Sequence, residues 1–252
     1  MTPVPTWILL RGLTRASGHW GAFADQFAQA LPGCEVVALD LPGNGRLHLQ
    51  ASPTRVPDMV AHCRAELDRR WLPPPYHLLG MSLGAMVAVA WSAAHPHEVA
   101  AQVLINTSLR PFSPFYQRLR PRHYALLLRL ALIGASPENW ERNILRITSN
   151  GGQDAVLPLW RALRAQHPVT RANALRQLLA AARYRAPKVI ATPTLLLASA
   201  QDQLVSVACS QALARQWQCG LQVHPSAGHD LPLDDGDWVT QQIAKAYPLL
   251  NS

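Results

Sequence analysis

Lysine, acidic residues and long apolar runs are all scarce in this chain, and each scarcity excludes something. Only Lys188 and Lys245 are lysines; the other 21 of the 23 basic residues are arginine. Fifteen Asp and Glu leave a net charge of +8 over 252 residues. No stretch reaches the roughly 18 consecutive apolar residues of a membrane span, so no transmembrane segment is expected. The opening Met1-Thr2-Pro3-Val4-Pro5 has no basic region, and the apolar run after it, Trp7 to Leu10, is too short for a secretory core. The four cysteines, Cys34, Cys63, Cys209 and Cys219, show no CxxC spacing and no histidine partner at metal-ligand distance. Scattered thiols without an export signal imply a reduced, cytoplasmic setting and no metal, with a Cys209–Cys219 bridge as the minor alternative. Nucleic acid is excluded as a partner, because the basic residues lack aromatic interleaving and any known binding motif.

What is present is an apolar fraction of 49%, enough for a sizeable core. The elements alternate. Strands are expected at Thr6–Leu10, Glu35–Leu39, Tyr76–Leu79, Ala101–Asn106, Thr194–Ser199 and Leu221–His224. Helices are expected at Trp20–Leu31, Asp58–Trp71, Leu83–His95, Val207–Trp217 and from about Trp238. That rhythm means an α/β fold with a doubly wound, mostly parallel sheet. It breaks after Ser108: from Tyr124 to about Arg185 the patterns are helical without intervening strands. The expected organisation is a core of residues 1–110 and 190–252 with a helical cap, 111–189, inserted in it. Between Arg110 and Ile190 lie 13 arginines and Lys188 against Glu138, Glu141 and Asp154, a surplus of +11, so the rest carries −3. Basicity confined to one segment has the character of either a solvated helical face or an electrostatic docking surface.

The chemistry concentrates at Gly80-Met81-Ser82-Leu83-Gly84, between an apolar strand and an alanine-rich helix. A serine with glycine two residues to either side at such a junction is a nucleophile elbow. The turn is so sharp that bulky neighbours would collide, and the helix aims its N–H groups and positive dipole end at any developing negative charge. A serine nucleophile needs a base and an orienting acid. Asp202 follows the strand ending at Ser199, and His229 follows the strand ending at His224. Loops leaving the C-terminal ends of parallel strands converge on one edge, where ligands bind. Among rivals, His224 alternates into a strand, and His95 and His97 flank Pro96 at a helix end. Asp230 and Asp234 lie too near His229 in sequence to orient its far nitrogen, and Asp40 is better placed to pin the Gly43–Gly45 turn.

With Leu10-Arg11-Gly12-Leu13, Trp20 and Asp40-Leu41-Pro42-Gly43-Asn44-Gly45 beside the elbow, Asp202 and Gly228-His229, the chain resembles the α/β-hydrolase superfamily over essentially its whole length. It is most similar to small carboxylesterases with a helical cap, such as the pimeloyl-carrier-protein methyl ester esterase group. The resemblance implies oxyanion N–H donors from Leu13 and Leu83, in a family that usually has His-Gly where this chain has Arg11-Gly12. With only five residues before the first strand, the hairpin that often opens the fold is expected to be missing or reduced.

The expected activity is hydrolysis of a small apolar carboxylic ester through Ser82, His229 and Asp202, with an acyl-enzyme intermediate and no cofactor. Met81 and Trp20 are candidate pocket residues. The same triad would serve a thioesterase, a C–C hydrolase or an acyltransferase, since selectivity lives in the cap. A ligand sensor on a hydrolase scaffold is the reading from a different class. An acidic carrier protein or an anionic surface is the candidate partner for the arginine-rich cap.

Overall fold

The computed structural model describes residues 4–151 and 153–247. Six strands form one all-parallel sheet in the order β2-β1-β3-β4-β5-β6. The strands are β1 Thr6–Leu10, β2 Glu35–Leu39, β3 Tyr76–Met81, β4 Val99–Ile105, β5 Thr194–Ser199 and β6 Gly220–His224. Alternating side chains supply two cores, as strand geometry requires. Ile8, Leu10, Leu78, Leu104 and Leu196 point to one face, which is covered by α2 Val56–Arg69, α3 Leu83–Ala94 and α9 Val207–Trp217. Trp7, Leu9, Leu79, Met81, Val103 and Leu197 point to the other, under α1 Phe23–Ala30 and α11 Gly236–Ala246. The central helix α3 is buried from Leu83 to Ser92, which explains its small, apolar composition.

Between β4 and β5 the chain runs through helices only. They are α4 Phe115–Arg118, α5 Tyr124–Leu132, α6 Pro137–Thr148, α7 Gln153–Gln166 and α8 Arg171–Arg183. A last short helix, α10 Leu231–Asp234, follows β6. Most elements fall within two or three residues of their sequence expectation, but three differ. The helix expected over Trp20–Leu31 is split into a 3₁₀ turn, Ser17–Trp20, and α1, because Gly21 takes φ +54° between them. The four-residue helices α4 and α10 were not expected; one turn offers no periodicity to read. Among the described residues no helix is long and apolar enough to cross a membrane. All four cysteines are free, so Cys209 and Cys219 are not bridged.

Candidate active site

β3 ends in the elbow. Ser82 takes φ +54°, ψ −113°, a conformation costly for a side-chain-bearing residue and held by its surroundings. Its N–H donates to Ile105 O at 3.0 Å, and Thr107 Oγ1 donates to its carbonyl at 3.3 Å. Both glycines are required by close approach. A Cβ on Gly84 would lie 2.1 Å from Leu10 O, and one on Gly80 2.7 Å from Ala85 Cα. Gly12 is pressed against Ser82, its position for a Cβ being 3.3 Å from Ser82 Cβ and 3.8 Å from Oγ. The backbone at 12–13 therefore passes beside Ser82. Thr14, at φ +59°, donates its N–H to Gln177 Oε1 at 2.8 Å, which fixes the next residue of that loop to α8. Among the described residues neither the Leu13 nor the Leu83 N–H has a hydrogen-bond acceptor.

Asp202 and His229 meet. His229 Nδ1 lies 2.7 Å from Asp202 Oδ2, both side chains being buried. The other carboxylate oxygen accepts the N–H groups of Leu204 and Val205 at 2.7 and 2.9 Å, so the acid is held from three directions. With Nδ1–H donating to the carboxylate, Nε2 is left as the acceptor nitrogen. Ser82 and His229 line one cavity of about 330 Å³, and no hydrogen bond joins the serine hydroxyl to the ring among the described residues. Such contacts are often long before a substrate arrives. Met81, Leu13 and Leu83 line this cavity, together with mostly apolar side chains of α5, α6 and α8. Trp20 does not. It is buried beneath the Arg11 guanidinium, 4.7 Å from the ring centroid, and stacks on Phe23, so its indole belongs to the core.

Several residues that position this site carried no sequence signal of their own. Asn106, just past β4 at φ +44°, donates from Nδ2 to His229 O at 2.8 Å and accepts Ser199 N–H at 2.8 Å. It thereby ties the ends of β4 and β5 to the His229 loop. Arg11 forms a bidentate pair with Asp230 at 3.0 and 2.5 Å, both residues buried, and reaches Met81 Sδ at 3.5 Å. This pair props the loop at Arg11-Gly12, and it occupies Asp230. Asp234 accepts the N–H groups of Gly228 at 2.6 Å and Asn150 at 2.9 Å. His224 pairs with Asp235 at 3.1 Å, and Asp40 accepts the N–H groups of Ser17 and Arg46 at 2.6 and 3.0 Å, pinning the turn as expected.

A second charged cluster joins the core to the inserted helices. Arg15 pairs with the fully buried Glu141 of α6, which also faces Arg164 of α7 at 3.6 Å. Arg15 stacks over Trp160 at 4.4 Å and Arg164 over Trp140 at 3.8 Å. Burial lowers the Arg164 pKa to about 10 despite Glu141 beside it. Burial, with Arg15 and Arg11 nearby, holds His19 well below the usual imidazole range, so it is neutral at pH 7.

An all-parallel α/β sheet with a strained serine between β3 and its helix defines a class, and the comparisons agree with it. The α/β-hydrolase family model matches residues 7–242. The chain belongs to the α/β-hydrolase family. It is 27% identical to a pimeloyl-[acyl-carrier protein] methyl ester esterase of Xylella fastidiosa over 239 residues, 89% of this chain and 88% of the relative. A protein of the same name from Chromobacterium violaceum is 35% identical over 106 residues, 42% of this chain and only 38% of that relative's length. Among solved structures, a thermophilic esterase from Thermogutta terrifontis superposes with a TM-score of 0.78 at 20% identity, over 98% of this chain and 91% of that one.

Proposed function

We propose that the protein is a serine ester hydrolase acting through Ser82, His229 and Asp202. The observation that carries this reading is the buried 2.7 Å His229–Asp202 contact on the wall of the cavity that Ser82 also lines. His229 Nε2 takes the hydroxyl proton as Ser82 attacks the ester carbonyl, and Asp202 offsets the charge the ring gains. The N–H groups of Leu13 and Leu83 receive the oxyanion, each worth about 3 kcal/mol of barrier in comparable sites. The proton then passes to the leaving alcohol, and water releases the acid by the same route. The apolar lining of the cavity supports an apolar acyl body, with Met81 in its wall.

Residues 111–189 act as a cap in this reading, since α5, α6 and α8 close the cavity over the sheet edge. Their exposed arginines, Arg122, Arg129, Arg146, Arg171 and Arg176 among them, fit an acidic carrier protein or another anionic surface. The names of the Xylella and Chromobacterium relatives support a carrier-linked methyl ester. The test is turnover of p-nitrophenyl butyrate together with intact mass after fluorophosphonate treatment. The parent should gain one phosphonyl group and lose activity, and Ser82→Ala should gain none and be inactive from the start. A Ser82→Ala protein as active as the parent would refute the proposal.

A further inference from the structure

Two of the inserted helices are apolar on both sides. α5 has a single charged residue, Arg129. Its Leu127 and Leu130 line the cavity that holds Ser82, while Leu128 and Leu132, four positions apart, are more than half exposed, and Ile133 just beyond is 72% exposed. α8 repeats the pattern: Ala174 and Leu178 line the cavity, and Leu175 and Leu179 are exposed. The two helices pack antiparallel. Arg171 at the start of α8 donates to Leu132 O at the end of α5 at 2.8 Å, and Ala181 near the end of α8 accepts from Arg118 of α4, which precedes α5. The wall is one helix thick, so the side chains turned away from the cavity share an outer face. Phe115 of α4 and Tyr124 of α5 line the cavity and also reach solvent, Phe115 being 71% exposed. They mark the mouth, which opens on this face.

The charge on the face has one sign. α4, α5 and α8 contain no Asp or Glu, and Arg122, Arg129, Arg171, Arg176 and Arg183 are exposed on them or next to them. Scattered single leucines at a surface need no explanation, but a contiguous apolar patch rimmed by polar groups marks a partner. A solvated helix face would set carboxylates and amides among its arginines rather than leucines. A second copy of the chain would bring arginine against arginine, and a partner recognised by charge alone would leave the leucines uncovered. Leucine and aromatic side chains beside arginines, with acid excluded, have the composition of helices that lie in the plane of a membrane interface.

We propose that the outer face of α4, α5 and α8 docks on an anionic phospholipid membrane, with its arginines on the headgroups, its leucines, Phe115 and Ile133 at the acyl boundary, and the cavity mouth turned to the lipid. This rests on the cap reading and names its anionic surface, and it stands apart from the chemistry at Ser82, because binding is measured without turnover. The experiment is flotation with vesicles of phosphatidylglycerol and phosphatidylcholine in equal parts, and with phosphatidylcholine alone. The parent should float with the first and stay in solution with the second. Leu128→Ser combined with Ile133→Ser should keep the parental melting temperature, since both side chains are exposed. It should weaken binding by about tenfold or more, the effect of one large aliphatic side chain kept in water. Leu175→Ser on the neighbouring helix gives an independent reading should the double change disturb the fold. Trp71→Ser, which removes an exposed indole where α2 leads into β3 at the other end of the sheet, should bind as the parent does. Absence of binding to the anionic vesicles, undiminished binding by the leucine variants, or an equal loss in Trp71→Ser would each overturn the proposal. So would tight binding of an acidic acyl carrier protein by a parent that ignores the vesicles, which would assign the arginines to a protein partner.

Discussion

At the scale of single residues, the most consequential pair is Arg11 and Asp230, because each adjoins a different part of the candidate machinery. Arg11 precedes Gly12, which touches Ser82, and Asp230 follows His229. A bidentate contact between them fixes the spacing of the Gly12 loop and the His229 loop. Replacing Arg11 by Met would leave a buried carboxylate without its counter-ion, at a cost of about 3–5 kcal/mol. We expect urea denaturation to show that loss, and kcat on a p-nitrophenyl ester to fall by roughly 10- to 100-fold as the two loops lose register. Adding Asp230→Asn should recover part of the stability, because it removes the stranded charge, while leaving kcat low. Recovery of both together would mean that the pair only stabilises the fold.

At the scale of elements, the elbow and the inserted helices answer to different rules. The elbow is local. Gly84→Ala drives a Cβ to 2.1 Å from Leu10 O, a backbone atom of β1 that cannot turn aside, so α3 must lift from the sheet. A loss of about 3 kcal/mol or failure to fold is expected. Gly151→Ala, where a Cβ meets nothing within 4 Å, should change the melting temperature little. The local character of the elbow is also why it was legible beforehand: five consecutive residues carry the glycine spacing, and the strand and helix on either side carry their own periodicities. The same holds for the order of β-strands and helices in the core and for the post-strand positions of Asp202 and His229. The Arg15–Glu141–Arg164 cluster was not legible, because its members come from a core loop and two helices, with 126 positions between Arg15 and Glu141. Sequence pattern reports which residues share a helix face and says nothing of which faces meet. Trp20 was misplaced for the same reason: its nearness to the Arg11-Gly12 loop is real, yet the guanidinium lies over its ring and separates it from the cavity. Glu141→Gln removes the only carboxylate in the cluster and strands two guanidiniums. We expect about 3 kcal/mol of destabilisation, with hydrogen exchange rising in α6 and α7 before it rises in β1, β3 or β4.

At the scale of the whole molecule, two effects set the response to alkaline pH and they oppose each other. The net charge of +8 shrinks as pH rises, which relieves self-repulsion and favours the folded state. Against it stand buried acids that fold in their neutral form. Burial raises Cys63 from 9.0 to about 12, and Tyr76 and Tyr247 from 10.0 to about 12. Each keeps its proton in the native protein after the unfolded chain has lost it, so the unfolded state binds fewer protons and stability falls with rising pH. The contribution of Cys63 is complete below pH 9 and is lost progressively between about 9 and 12. One pH unit within that window is worth about 1.4 kcal/mol per group. Relief of surface repulsion is spread over screened charges, mostly exposed arginines that do not titrate there, and buried Arg164, lowered to about 10, is one group opposing three, so the buried acids should win. Melting temperature in high salt should therefore hold steady to about pH 9 and then decline. Cys63→Ala will lower the starting value, since it hollows the packing of α2 against the sheet, but it should flatten the decline between pH 9 and 10.5. An unchanged slope in that variant would assign the alkaline loss to the tyrosines or to the surface instead.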